Sequence, residues 1–186
     1  RRELEEEVPG IAEDWNYGLL FEQDGQIDNR RRLMRALEKA CVELGVHFQE
    51  GIEVKEIIKK DNTFIGVKVK NAEGNIQIIE GEQGILCSGA WCKQLLDDIP
   101  IFPVKGQMLS IQGPKYALKR ILFGPKTYFV PREDGLIVIG ATSEKNAGFR
   151  EGLTPKGQRE IQEGIQSLLP EGNKWPHMER WWGFRP

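Results

Sequence analysis

A change of period near residue 45 constrains this chain more than any other feature. Before it, Leu33, Met34, Leu37, Cys41 and Leu44 recur at the spacing that puts apolar side chains on one face of a helix. Asp28 or Asn29 is the expected N-cap, and Gly45 the glycine that stops the helix. After it, the apolar residues come in short β-branched runs: Val46–Gln49, Val54–Lys59, Phe64–Lys70 and Ile76–Glu80. Asp61-Asn62 and the stretch from Ala72 to Asn75 supply turns between them, so the pattern predicts an antiparallel meander.

The rest of the chain continues that alternation. Gly84–Cys87 is expected as a continuous apolar strand, closed by Ser88-Gly89-Ala90 and followed by a short helix through Leu96. Further strands are expected at Val104–Gln112, Ile121–Phe123, Tyr128–Arg132, Leu136–Ala141 and Trp181–Phe184, with a tight turn over Arg132–Gly135. Thr154 caps a helix with Pro155 at its first position, lined by Ile161, Ile165, Leu168 and Leu169 and ended by Pro170. The start of the chain, Glu3–Leu20, is broken by Pro9, Gly10 and Gly18 and is expected to be irregular, and the turn after it centres on Asp24-Gly25. The class expected is α+β: a mixed or antiparallel sheet with helices on one side, plus a small β-meander.

Net charge is −2, so nothing in the charge balance attracts nucleic acid. No apolar stretch approaches the ~20 residues of a membrane span, and the Glu-rich first seven residues are no secretory signal. Arg30-Arg31-Arg32 is expected as the wet side of a helix start. Cys41, Cys87 and Cys92 cannot all pair within one chain, so free buried thiols in a reducing cytoplasm are expected. His47 and His177 are isolated, and no second Cys/His pair accompanies Cys87 and Cys92, so a metal site is not expected.

Motifs with a chemical reading are few. No GxGxxG and no Walker sequence occurs. Ser88-Gly89-Ala90 lets a ligand approach the backbone, although an ordinary strand-to-helix turn accounts for it better. Ser143-Glu144 pairs a hydroxyl with a carboxylate, but nothing nearby in sequence orients them for nucleophilic chemistry. Arg185, in the aromatic segment Trp181-Trp182-Gly183-Phe184-Arg185-Pro186, has the donor fork that grips a carboxylate between apolar walls. With Tyr128 and the strand end Gly140-Ala141-Thr142 it would form a wall for a small amino or oxo acid. The plainer alternatives are a surface arginine on an edge strand and a half-buried sheet tyrosine. A chain that stops one residue past such a clamp is expected to be a piece of a larger enzyme.

Five segments in order shift that balance: Gly84-Ile85-Leu86-Cys87-Ser88-Gly89-Ala90-Trp91, Pro103-Val104-Lys105-Gly106-Gln107-Met108, Tyr128-Phe129-Val130-Pro131-Arg132, Gly140-Ala141-Thr142 and Trp182-Gly183-Phe184-Arg185-Pro186. Together they resemble the D-amino-acid oxidase family of FAD-dependent amine oxidases, over about Gly18 to Pro186. Asp24-Gly25-Gln26-Ile27-Asp28 leading into the helix is similar to the glycine-oxidising subgroup that serves thiamine biosynthesis. The resemblance implies oxidation of glycine or a small D-amino acid to the oxo acid with hydrogen peroxide as product, and FAD as cofactor. It implies that Val54 lends backbone groups to the adenine, that Ser88, Gly89 and Trp91 lie by the dinucleotide, and that Tyr128 and Arg185 grip the substrate carboxylate. No catalytic acid or base is called for, since positioning carries the chemistry.

Lys126 and Ser143 fall at pocket positions where the family varies, so the side chain accepted by the pocket stays open. The implied division is a lead-in over 1–20, a helix, meander and strand returning to the FAD domain over 21–101, and the substrate-binding domain over 102–186. With no GxGxxG of its own, the chain alone is not expected to hold FAD. A homo-oligomer remains open. The alternatives are an FAD dehydrogenase of a secondary amine or glycerol phosphate, and a non-catalytic carboxylate-binding domain.

Overall fold

The computed structural model describes residues 1–27 and 30–186. In chain order the elements are α1 (Arg2–Glu7), α2 (Arg30–Glu43), β1 (Glu53–Lys60), β2 (Thr63–Lys70), β3 (Ile76–Glu80), β4 (Val104–Gln112), β5 (Leu122–Phe123), β6 (Tyr128–Pro131), β7 (Leu136–Gly140), α3 (Pro155–Leu168) and β8 (His177–Arg185), with short 3-10 turns between some of them. The chain divides into two compact units, Arg1–Asp28 with Pro103–Pro186 and Asn29–Phe102.

The first unit is a five-stranded antiparallel sheet in the order β5-β6-β7-β4-β8. Side chains alternate between its faces, and the face carrying Leu109, Ile111, Phe129, Ile137 and Ile139 is buried. Ile161, Ile165 and Leu168 of α3 close over it in one apolar core. The helix begins as its sequence predicts, with the Thr154 hydroxyl accepting from the Gly157 amide at 3.1 Å and Pro155 in its first turn. Gly135, at φ +90°, makes the turn between β6 and β7 that the Arg132–Gly135 signal anticipates.

The start of the chain is not wholly irregular. Residues 2–7 form α1, where Glu3 and Glu5 sit in the first turn and Arg2 pairs with Glu6 at 3.2 Å. Acidic residues at a helix N-terminus and i,i+4 pairs favour that turn, and Val8, preceding Pro9, ends it. The segment is anchored by the Ala12 amide on the Leu168 carbonyl at 2.9 Å and by the Trp15 indole on the Ser167 carbonyl at 2.8 Å. The turn that follows lies at Glu22-Gln23, two residues before the expected Asp24-Gly25.

The second unit holds the predicted meander, β1-β2-β3, in antiparallel register. Gly66 is obligatory there, because its φ is +153° and a Cβ would strike the Ile79 carbonyl. Helix α2 ends on Gly45 at φ +86°. The expected cap at Asp28 or Asn29 lies outside the described residues.

Two expected strands are absent. Val46–Gln49 and Gly84–Cys87 form no strand. A strand needs a ladder partner, and neither segment joins either sheet. The Val46 amide instead closes α2 on the Cys41 carbonyl at 2.9 Å. The thiols also differ from expectation: Cys92 is buried and Cys41 partly so, but Cys87, on the unpaired segment, is exposed. Among the described residues, no helix is long and apolar enough to cross a membrane.

Candidate functional site

Strand register decides which side chains share a face. Tyr128 stands opposite Gly140 on β7, Leu109 opposite Ile139, Met108 opposite Trp181, and Val104 opposite Arg185. Directly opposed residues point the same way, and alternation carries the parity along each strand. Tyr128, Gly140, Met108, Gly106 and Arg185 therefore share the sheet face away from α3. Tyr128 and Arg185, chosen from sequence on separate strands, fall on that one face.

Glycines clear the floor between them. A Cβ at Gly140 would stand 2.6 Å from the Tyr128 hydroxyl and 2.9 Å from the Met108 methyl. A Cβ at Gly106 would stand 2.8 Å from Nη1 of Arg185. The tyrosine thus lies over one glycine and the guanidinium over the other. Strand axes lie ~4.8 Å apart, so β6 and β8 are roughly 14 Å apart with β7 and β4 between. Two long polar side chains reaching inward from those strands can bracket a small anion.

Arg185 is itself held. Its Nη2 donates to the Thr142 carbonyl at 3.1 Å, which leaves the other donors of the fork available. Phe184 and Trp182 pair with Lys105 and Gln107 and so point to the α3 side of the sheet, where Phe184 meets Phe149 edge to face at 5.3 Å and Trp182 at 5.4 Å. Of the aromatic segment, Trp181, opposite Met108, shares the face of Arg185. Lys126 and Ser143 are both exposed, and Lys126 reaches Glu163 at 3.9 Å. Ser143 and Glu144 form no nucleophile–base pair. The Glu144 carboxylate instead accepts from the Thr142 hydroxyl and the Gln107 amide, both at 2.7 Å.

That cluster escaped the sequence. Gln107 is fully buried on the α3 side of β4. Its Nε2 also donates to the Thr154 hydroxyl at 2.7 Å, and its Oε1 accepts from the Thr154 amide at 2.9 Å and from Gln158 at 3.2 Å. Gly157 is required beneath it, since a Cβ there would overlap the amide. The available signal was the run Lys105-Gly106-Gln107 interrupting the apolar positions of the strand. A buried polar side chain must be satisfied, so such an interruption marks a network.

The cofactor candidates all belong to the second unit. Val54 lies on β1, where the ladder slips between Val54 and Glu56, a bulge that frees backbone groups from pairing. Ser88 precedes a 3-10 turn over Gly89–Gln94, and its hydroxyl donates to the Cys92 sulfur at 3.3 Å. Gly89 has φ +52°, with no heavy atom within 4 Å of where a Cβ would stand. Trp91 is exposed beside it. Open, left-handed backbone with an exposed indole fits the approach of a dinucleotide such as that of FAD, and Ser88, Gly89 and Trp91 share one short segment.

A family model described as FAD dependent oxidoreductase (DAO) matches residues 1–186. The bifunctional protein ThiO/ThiG of Synechocystis sp. is 39% identical over 96% of this chain, which spans 27% of that protein. The glycine oxidase of Pseudomonas aeruginosa is 30% identical over 96% of the chain, which spans 49% of it. The crystal structure of glycine oxidase from Bacillus cereus superposes with a TM-score of 0.70 at 28% identity, covering 83% of this chain and 43% of that one. The chain therefore corresponds to about a quarter to a half of the length of these relatives.

Proposed function

The chain belongs to the DAO family of FAD-dependent oxidoreductases, and from that premise we propose that it forms the carboxylate-binding part of an enzyme that oxidatively deaminates glycine or a small D-amino acid, with hydrogen peroxide as co-product, in thiamine biosynthesis. One observation carries this: Arg185 and Tyr128 share a face whose floor is cleared by Gly106 and Gly140. Small floor residues leave room for a compact substrate, and the guanidinium fork supplies paired donors to its carboxylate. The names of the relatives, glycine oxidase and ThiO/ThiG, support the same substrate class.

In this mechanism Arg185 neutralises and orients the substrate carboxylate, and the Tyr128 hydroxyl donates a further hydrogen bond to it. Trp181, opposite Met108 on the same face, would limit competition from water. Ser88, Gly89 and Trp91 would hold the dinucleotide of FAD, and backbone groups of Val54 would meet its adenine. When bound, FAD supplies the two-electron acceptor for oxidation of the amine carbon. Holding a donor carbon in a reactive pose is worth on the order of 7–11 kcal/mol in the best intramolecular cases, so positioning residues suffice without a general base.

Replacement of Arg185 by alanine in the FAD-loaded enzyme that carries this chain tests the assignment. The KM for glycine is expected to rise by the equivalent of about 2–5 kcal/mol, the usual cost of removing one partner of a charge-assisted pair. Flavin content should stay at the wild-type level. Loss of flavin with an unchanged KM would show that Arg185 serves the cofactor instead.

A further inference from the structure

We propose that Thr142, with Glu144 and Gln107, is a positioning device for the Arg185 guanidinium, acting from the opposite face of the sheet. This rests on the assignment of Arg185 as the carboxylate clamp. Arg185 is exposed, and a long exposed side chain ordinarily samples many rotamers. Its Nη2 donates to the Thr142 carbonyl at 3.1 Å, so whatever fixes that carbonyl fixes the fork.

Thr142 lies just past the end of β7, where a backbone would otherwise be free to turn. It is tied down at several points. Its amide donates to the Gln107 carbonyl at 3.2 Å, its hydroxyl accepts from the Gln107 amide at 2.9 Å, and the same hydroxyl donates to Glu144 at 2.7 Å. Glu144 in turn donates its backbone amide to the Lys105 carbonyl at 2.9 Å and takes the Gln107 side chain. Thr154, the N-cap of α3, completes the set around Gln107.

Thr142 is 1% exposed and Gln107 fully buried, so these bonds are shielded from water while the Thr142 carbonyl points to the substrate face. The buried amide of Gln107 anchors the backbone, and the backbone aims the arginine. Pre-orienting the fork lowers the ordering cost paid when a carboxylate binds.

The test uses the FAD-loaded enzyme carrying this chain, with acetate as a carboxylate probe and calorimetry as the readout. Thr142→Val keeps the side-chain shape and removes the hydroxyl, and it should weaken acetate binding by about tenfold, the scale of misdirecting one charge-assisted contact. Thr142→Ser, which retains the hydroxyl, should restore affinity to within about twofold of wild type. In an Arg185→Lys background, where a point charge replaces the fork, Thr142→Val should add no further loss.

An equal loss in both backgrounds, or no loss in the wild-type background, overturns the proposal. If Arg185→Lys leaves acetate affinity at the wild-type value, the clamp assignment itself fails and the proposal falls with it. Should Thr142→Val not fold, Glu144→Gln takes its place in the same cycle. Unchanged acetate affinity in that variant likewise overturns the proposal.

Discussion

The five-stranded sheet seals one face beneath α3, whereas the three-stranded meander and α2 leave most of their apolar residues in solvent. Leu109, Ile139 and Ile161 are at most 1% exposed, while Ile76 and Ile78 on β3 are about 60% exposed and Leu37 on α2 is half exposed. Both regions have the β-branched composition that favours strands, so strand formation does not account for the difference. A complementary layer does: α3 offers Ile161, Ile165 and Leu168 at helical spacing to the five-stranded face, and among the described residues no helix covers the meander in this way. The meander's internal burial is local, at Val69 and where the Phe64 ring covers Gly84. The proposed roles divide along the same line, with Arg185 and Tyr128 in the sealed unit and the cofactor candidates in the open one.

Core truncation should break or uphold this contrast most sharply. Ile139→Ala is expected to cost about 2–5 kcal/mol in denaturant unfolding of the 186-residue chain, because it opens a cavity under α3. Leu37→Ala should stay within about 0.5 kcal/mol, as for a solvent-exposed position. Similar losses at both sites would mean that α2 packs as firmly as the sheet.

A second comparison sets cofactor against substrate. Gly89→Val forces a β-branched residue to φ +52°, a strain of order 1–3 kcal/mol. In the FAD-loaded enzyme it should lower flavin retention on gel filtration while the remaining holoenzyme keeps its KM for glycine. A raised KM with full flavin would erase the division of labour between the units.

Within the sealed unit, Tyr128→Phe should weaken glycine binding by about 0.5–1.5 kcal/mol, up to about 3 if the hydroxyl meets the charged carboxylate directly. Tyr128→Ala should be worse, since it also removes the ring that lies over Gly140. If the phenylalanine variant matches wild type and the alanine variant unfolds, Tyr128 is a packing residue and the clamp rests on Arg185.

The smallest effect concerns His177 at the start of β8. Partial burial and the nearby Arg180 hold its pKa below 6.5, and Nη2 of Arg180 lies 2.8 Å from its Nδ1. A lowered folded pKa means that the unfolded chain binds the proton first. Stability is therefore fully present above 6.5 and declines as pH falls through and below it. His177→Gln should flatten a thermal melting series across that range, and an unchanged slope would assign the dependence to other groups.

Local pattern carried much of this protein into view. Helical spacing with Thr154-Pro155 located α3, and β-branched runs bounded by Asp61-Asn62 and by Arg132–Gly135 located most of the strands. These signals act over a few residues, where capping and turn chemistry operate. Tyr128 and Arg185 could be nominated from residue type and segment resemblance, because a guanidinium fork and a phenol suit a carboxylate wherever they lie.

Other properties depended on partners distant in sequence. Val46–Gln49 and Gly84–Cys87 have strand-like composition, but a strand exists only where another one pairs with it. The shared face of Tyr128 and Arg185 follows from the register of β6, β7, β4 and β8, because a slip of one residue would send either side chain to the opposite side. The Gln107–Thr142–Glu144–Thr154 cluster joins residues up to 47 positions apart, and no local rule could link them. Only the folded sheet, by burying the Gln107 amide, obliges its neighbours to satisfy it.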